Sequence, residues 1–218
     1  MIRFTALLLC LFVTAPAIAD SWPEALGREG ECVVCTRRGG AHGVEPFVDW
    51  REHEDRHYGF CNEACAEAFD QMPDGYAVPV LPRPAPAFEW TTLGGETIAN
   101  TGGGPLLVDF WATWCTPCLE AMPKLEALAR DHEDDGLRVV GVSIDEKRST
   151  LDRFLDRRPV GYDVVHDGGD DPAWWQFQVP AIPAAFLLDA EGNVVAQYSG
   201  TIDTEDLERR IEALVAGH

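Results

Sequence analysis

From about residue 88 onward, short, predominantly apolar runs alternate with longer stretches whose apolar positions recur every three or four residues. Leu106–Phe110 is compact and apolar, as a strand buried on both faces must be. Residues 116–131 follow, with Leu119, Met122, Leu125 and Leu128 at helical spacing. Leu137–Ile144 predicts a second buried strand, and Ser149 is placed to cap a helix running to about Arg158. Tyr162–Val165 reads as a short strand and Ala185–Asp189 as a longer one. A turn at Glu191-Gly192-Asn193, a strand over Val194–Tyr198 and an amphipathic helix over Thr204–Ala216 close the chain. Strands alternating with helices predict an α/β fold whose mixed central sheet is covered by helices on both faces. The last two strands, joined by a tight turn, supply its antiparallel edge.

Upstream the pattern changes. Val78–Ala87 holds four prolines between positions 79 and 86, a density that favours an extended spacer and excludes helix or central strand. The expected division is therefore a small domain over 28–80, a Pro-rich linker over 81–87 and the α/β domain over 88–218. Residues 1–19 form a different kind of segment. Arg3 precedes a short apolar core, and Ala17-Ile18-Ala19 gives a small-x-small cleavage signal before Asp20. The core is too short to span a bilayer comfortably, and Leu9 is too bulky to precede a lipid-modified Cys10. The expectation is a cleaved signal peptide, periplasmic export and no membrane span afterwards.

Composition narrows the function classes. Hydrophobic residues make up 46% and charged residues 25%, which excludes general disorder. Lys plus Arg number 17 against 37 Asp plus Glu, a formal charge of −20 that repels phosphate backbones, so nucleic acid is not an expected partner.

Once Cys10 leaves with the signal segment, the cysteines fall into two sets. Cys115-Thr116-Pro117-Cys118 stands where a predicted strand feeds a predicted helix. There Cys115 meets unpaired backbone N–H groups and the helix dipole, both of which favour a thiolate, and Pro117 fits the first helical turn. A Cys-x-x-Cys after such a strand points to redox work, although metal sites and structural bridges use the same spacing. The stretch Val108-Asp-Phe-Trp-Ala-Thr-Trp-Cys-Thr-Pro-Cys118 with Met122-Pro123 resembles the active-site segment of the thioredoxin superfamily, and its wording is most similar to the exported TlpA/ResA-like thiol–disulfide oxidoreductases. The resemblance runs on through Val140–Asp145 and Ile182–Asp189.

That resemblance implies a thioredoxin-like fold and a set of roles. Cys115 is the exposed nucleophile, Cys118 the buried resolving cysteine, and Asp109 the buried acid that takes the proton from Cys118. Pro183 is the cis-proline beside the pair, and Ile182 is the residue whose backbone meets the incoming client. Trp114, Thr116, Pro117 and Ile182 are the candidate client-binding residues, while Trp111 is divided between the core and an apolar platform. Trp174 and Trp175 are expected to pack inside. One departure stands out: the family's glutamate three residues after the second cysteine is Ala121 here, and Glu120 lies about 100° further round the helix. The redox reaction needs no cofactor, and the implied direction is reduction of exported client proteins, supplied by a membrane electron donor.

The second set, Cys32, Cys35, Cys61 and Cys65, has the spacing Cys-x2-Cys-x25-Cys-x3-Cys. Four thiolates suit tetrahedral zinc, and a domain this small gains from a metal crosslink. Tyr58–Phe69 with Pro73-Asp74-Gly75-Tyr76 resembles the YHS/TRASH-type treble-clef metal-binding domains, which implies a small zinc-finger-like fold. Zinc is the expected metal. Copper or another soft metal, and two structural disulfides, remain as alternatives, and His42, His53 and His57 stand nearby as substitute ligands. The rival function is metal binding or delivery, with the α/β domain as support.

Overall fold

The computed structural model describes residues 22–23, 26–38, 43–101 and 103–216, so the expected signal peptide over 1–19 and His42 lie outside the described residues. No helix among the described residues is long and apolar enough to cross a membrane.

The N-terminal part is built on small elements. Strands β1 (Glu29–Gly30) and β2 (Glu45–Pro46) pair antiparallel, with helix α1 (Val33–Arg37) between them. Strands β3 (Asp49–His53) and β4 (Arg56–Phe60) form a hairpin whose two turn residues, Glu54 and Asp55, take φ of 50° and 58°. That is the left-handed pair a two-residue hairpin demands. Helices α2 (Glu63–Gln71) and α3 (Pro73–Tyr76) follow, and Val34, Phe60, Ala66, Phe69 and Tyr76 close a core against them.

The larger part has the thioredoxin-like architecture the sequence led us to expect. Strand β5 (Arg83–Pro84) is followed by a hairpin of β6 (Glu89–Thr91) and β7 (Thr97–Ala99), and then by β8 (Leu106–Trp111), buried along its whole length. Helix α4 (Thr116–Asp131), β9 (Arg138–Ser143), α5 (Arg148–Leu155), β10 (Asp163–His166), α6 (Ala173–Gln176), β11 (Ala184–Leu188), β12 (Asn193–Ser199) and α7 (Thr204–Val215) complete it. The six-stranded sheet runs β10-β9-β8-β11-β12-β5, with β8, β9 and β10 mutually parallel and the other strands antiparallel to their neighbours. One face of the sheet packs Val108, Phe110, Val140 and Phe186 against Phe88 and Phe177. The other packs Leu107, Val139 and Leu187 against Leu125 and Leu128 of α4 and Leu207 and Ile211 of α7.

Three local expectations change. Ser149 lies inside α5, and the helix begins after Lys147, whose side chain makes no capping bond. The Pro-rich stretch does more than space: Arg83 and Pro84 pair with Val194 and Asn193 and so add the outermost strand of the sheet. An edge is where a strand proline is tolerated, because no ladder partner waits for its missing N–H. Trp175 is 45% exposed and so not a packing residue, whereas Trp174 packs against both the N-terminal core and the sheet core.

The two parts meet beside Trp174. The Asp74 backbone N–H donates to Gln178 Oε1 at 3.0 Å, and Gln178 itself takes a left-handed φ of 51°. Gly75 sits so close that a Cβ would overlap the Gln178 carbonyl.

Candidate functional site

Cys115 is the N-cap of α4, and the Cys118 N–H points at its Sγ at 3.3 Å. The two cysteines are joined as a disulfide, with Cα atoms 5.3 Å apart. At the helix end the N–H groups and the dipole stabilise negative charge on Cys115 once the bond is reduced. In this disulfide form Cys115 is 5% exposed and Cys118 2%, so the presumed nucleophile is the more open of the two by only a little and is more covered than its expected role implied. Trp114, next to Cys115 in the chain, is 67% exposed. Trp111, by contrast, is wholly buried between strand and helix, which resolves its divided reading in favour of the core.

The helix continues through Pro123, which has no N–H to offer the Leu119 carbonyl. The Arg158 guanidinium donates to that carbonyl at 3.1 Å and replaces the lost bond. Ile182–Pro183 is a cis peptide, and Ile182 packs against the cluster that contains Cys115 and Cys118. Thr116 and Pro117 are exposed on the first turn, and Pro117 lines a small groove with Glu120, Lys124 and Pro183. Glu120 is thus an exposed groove residue, and the half-buried Ala121 lines the same groove while packing against the core.

Asp109 is 2% exposed on β8, between Leu107, which packs with Leu125, and Trp111, which packs with Cys118 and Met122. This places it beneath the buried stripe of α4. No cation pairs with it and its Oδ1 has no hydrogen-bond partner among the described residues. Burial alone pushes its carboxyl up to about 7, where it can either hold or release a proton near neutral pH.

One residue that the sequence reading passed over is Asp145, 2% exposed just beyond β9. Its carboxylate accepts from the Thr113 N–H at 2.9 Å, the Thr113 hydroxyl at 2.7 Å and the Ser143 hydroxyl at 2.8 Å. It thereby anchors the loop that carries Trp114 and Cys115. An Asp directly after an apolar run was the available signal.

In the N-terminal part, the Sγ atoms of Cys32, Cys35, Cys61 and Cys65 all lie within 4.8 Å of one another. Cys35 is 3.5 Å from Cys61 and 3.7 Å from Cys65, and Cys61 is 3.9 Å from Cys65. Those spans exceed an S–S bond of about 2.05 Å and match the edge of about 3.8 Å of a tetrahedron with Zn–S of about 2.3 Å. All four are free thiols, so the donor set fits a thiophilic divalent ion. Local structure sets the second pair: Cys61 follows the end of β4, and Asn62 caps α2 by accepting the Cys65 N–H at 2.9 Å. The Asn62 amide also donates to Cys61 Sγ at 3.3 Å. His53 instead bonds Asp74 at 2.7 Å, and His57 lies tilted against the Trp50 ring, so neither belongs to the thiol cluster.

The sequence pattern of the AhpC/TSA family matches residues 81–197. The thiol–disulfide oxidoreductase ResA of Geobacillus kaustophilus (strain HTA426) is 30% identical over 132 residues, covering 60% of this chain and 75% of the relative. The thioredoxin-like protein YneN of Bacillus subtilis (strain 168) is 29% identical over 133 residues, covering 59% of this chain and 76% of its own length. Among solved structures, a putative thiol:disulfide interchange protein DsbE from Chlorobium tepidum superimposes with a TM-score of 0.57 at 29% identity, covering 62% of this chain and 96% of that one. The family match lies within the larger part of the chain.

Proposed function

The chain belongs to the AhpC/TSA family and is a thiol–disulfide oxidoreductase of thioredoxin-like fold, and from that premise we propose that it is an exported reductase of client disulfides that also carries a metal-binding N-terminal domain. The observation that carries the redox reading is the Cys115–Cys118 pair at the N-terminus of α4, with cis-Pro183 alongside and Asp109 buried beneath. In the reduced protein the Cys115 thiolate attacks one sulfur of a client disulfide and the other sulfur leaves as a thiolate. Cys118 then gives its proton to Asp109 and attacks Cys115 Sγ. That step forms the Cys115–Cys118 bond and releases the second client thiolate. Two electrons pass to the client, and a membrane electron donor restores the dithiol. Trp114, Thr116, Pro117 and Ile182 form the surface that receives the client.

The four-thiol cluster supports the metal domain, which we read as YHS/TRASH-like, with Cys32, Cys35, Cys61 and Cys65 as ligands. Zinc held there would supply a structural crosslink to a part with a small core of its own. A soft-metal site and a dithiol on one chain favour clients whose cysteines must be reduced before they receive a metal or haem.

The test is the reduction potential of Cys115–Cys118 in thiol–disulfide buffers, read by tryptophan fluorescence. A value near or below about −250 mV supports a reductase, whereas one near about −120 mV makes the protein a disulfide donor and overturns the proposal. Cys118→Ser should in addition accumulate a mixed disulfide with its client, and Cys115→Ser should form none.

A further inference from the structure

Three arginines line one groove beside the redox loop. Arg153 on α5, with Arg157 and Arg158 just past its end, lines a concavity of about 310 Å³ together with Thr113, Thr150 and Phe154. Among the described residues none of the three arginines pairs with a carboxylate, whereas Arg148 on the same helix takes Asp152 at 2.7 Å. In a chain with 37 acidic side chains against 17 basic ones, three unpaired cations in one place need a reason. Backbone carbonyls hold them instead. Arg153 Nε donates to the Ser149 carbonyl at 3.0 Å, Arg157 Nε to the Arg153 carbonyl at 3.0 Å, and Arg158 to the Leu119 carbonyl at 3.1 Å. Arg153 also lies 3.5 Å from the Thr150 hydroxyl. A guanidinium has five N–H donors, so these tethers orient each group and leave most of its donors open.

The position of the groove gives those donors a use. Strand β8 lies between β9 and β11 in the sheet, and the loop after β8 carries Cys115. On one side of that loop cis-Pro183 precedes β11, and on the other α5 follows β9. Thr113, a wall of the groove, is fixed to Asp145 and stands two residues before Cys115, a separation of at most about 7 Å in extended backbone. Phe154 packs on Trp111 at 5.6 Å between ring centres and joins the cluster around both cysteines. A client strand that runs from Ile182 across Cys115 continues toward the guanidiniums.

We propose that this arginine groove binds the carboxylates of acidic residues that flank the disulfide of a client polypeptide, and so selects which disulfides reach Cys115. The inference rests on the redox reading above and adds the chemical class of the client. Guanidinium and carboxylate pair through two parallel hydrogen bonds, which fix orientation as well as proximity. The overall charge of −20 repels an acidic segment from the molecule at large, so the attraction is confined to the groove and sets the client's register against the redox pair.

The test uses peptides closed by a single disulfide that carry a Glu-Gly-Glu, Gln-Gly-Gln or Lys-Gly-Lys tail on either side of the ring. The reduced full chain is mixed with each in single turnover and followed by tryptophan fluorescence. The second-order rate constant should be about fivefold higher for the Glu tail than for the Gln tail on one side of the disulfide, and lowest for the Lys tail. The preference should fade in about 0.5 M salt. The double variant Arg153→Gln/Arg157→Gln should bring the Glu-to-Gln ratio below about twofold. Arg153→Glu/Arg157→Glu should turn the preference toward the Lys tail, a gain that misfolding cannot produce. Equal rates for Glu and Gln tails in the wild type, equal ratios on both sides of the disulfide, or a ratio that survives in both variants overturns the proposal. A second arm needs no turnover: peptides with serine in place of both cysteines are titrated by calorimetry against the oxidised protein, and equal affinity for Glu and Gln tails overturns the groove. Selective binding of the Glu tail by a wild type that reduces none of the peptides overturns the redox reading instead and leaves the groove standing.

Discussion

Asp109→Asn should make the protein progressively more stable, relative to wild type, as pH rises. The wild-type carboxyl is pushed by burial from 3.8 to about 7. Between those values the folded state binds more protons than the unfolded state, so stability falls with rising pH across the window, and the full cost is present above about pH 7. A displacement of that size corresponds to about 4 kcal/mol at its limit, of which roughly 2 kcal/mol is already lost at pH 5. An asparagine has no charge to desolvate. It brings its own cost for a buried amide of about 1–3 kcal/mol, but that cost does not vary with pH. The stability difference between variant and wild type should therefore shift by about 3 kcal/mol in favour of the variant between pH 5 and pH 9. Urea unfolding of both proteins, with the disulfide intact and equal metal loading, measures it. A difference that stays constant across the range would mean that Asp109 titrates like an exposed carboxyl, and it could not then serve as acceptor for the Cys118 proton near neutral pH.

Other substitutions probe the remaining parts of the structure. Asp145→Ala removes the acceptor for Thr113 and Ser143, and should lower stability by about 3 kcal/mol in urea and slow client attack by displacing the Cys115 loop. Gly75→Ala forces a methyl group into the Gln178 carbonyl, and should cost about 1–3 kcal/mol and open the junction between the two parts to limited proteolysis, with the rate of disulfide exchange as the companion measurement. Cys65→Ser should reduce bound zinc, measured by elemental analysis of the purified protein, and lower the melting temperature of the N-terminal part while leaving the Cys115–Cys118 potential unchanged.

The α/β elements were readable because each answers to a local rule. Leu106–Trp111, apolar but for Asp109, reads as a central strand, and the Met122, Leu125 and Leu128 spacing marks one buried face of a helix. Both cysteine sets were legible for a related reason: their spacing is short enough that local structure alone brings each pair together. Other features depended on parts of the chain far apart in sequence. The convergence of Cys32 and Cys35 with Cys61 and Cys65 needs the β3–β4 hairpin folded back over α1. The outermost strand at Arg83–Pro84 exists only because β12 offers it an open edge. Ser149 satisfies the composition rule for a cap yet falls within α5, since tertiary packing rather than residue preference decides where a short helix starts. The partners of Asp145, the contact of Gly75 with Gln178 and the closure of Tyr162 and Trp111 over Gly141 carry no signature in the sequence. Periodicity and spacing encode which face a residue presents to its near neighbours. Which distant side chain meets that face is decided only when the sheet and helices pack, and it is there that the environment of Asp109 is set.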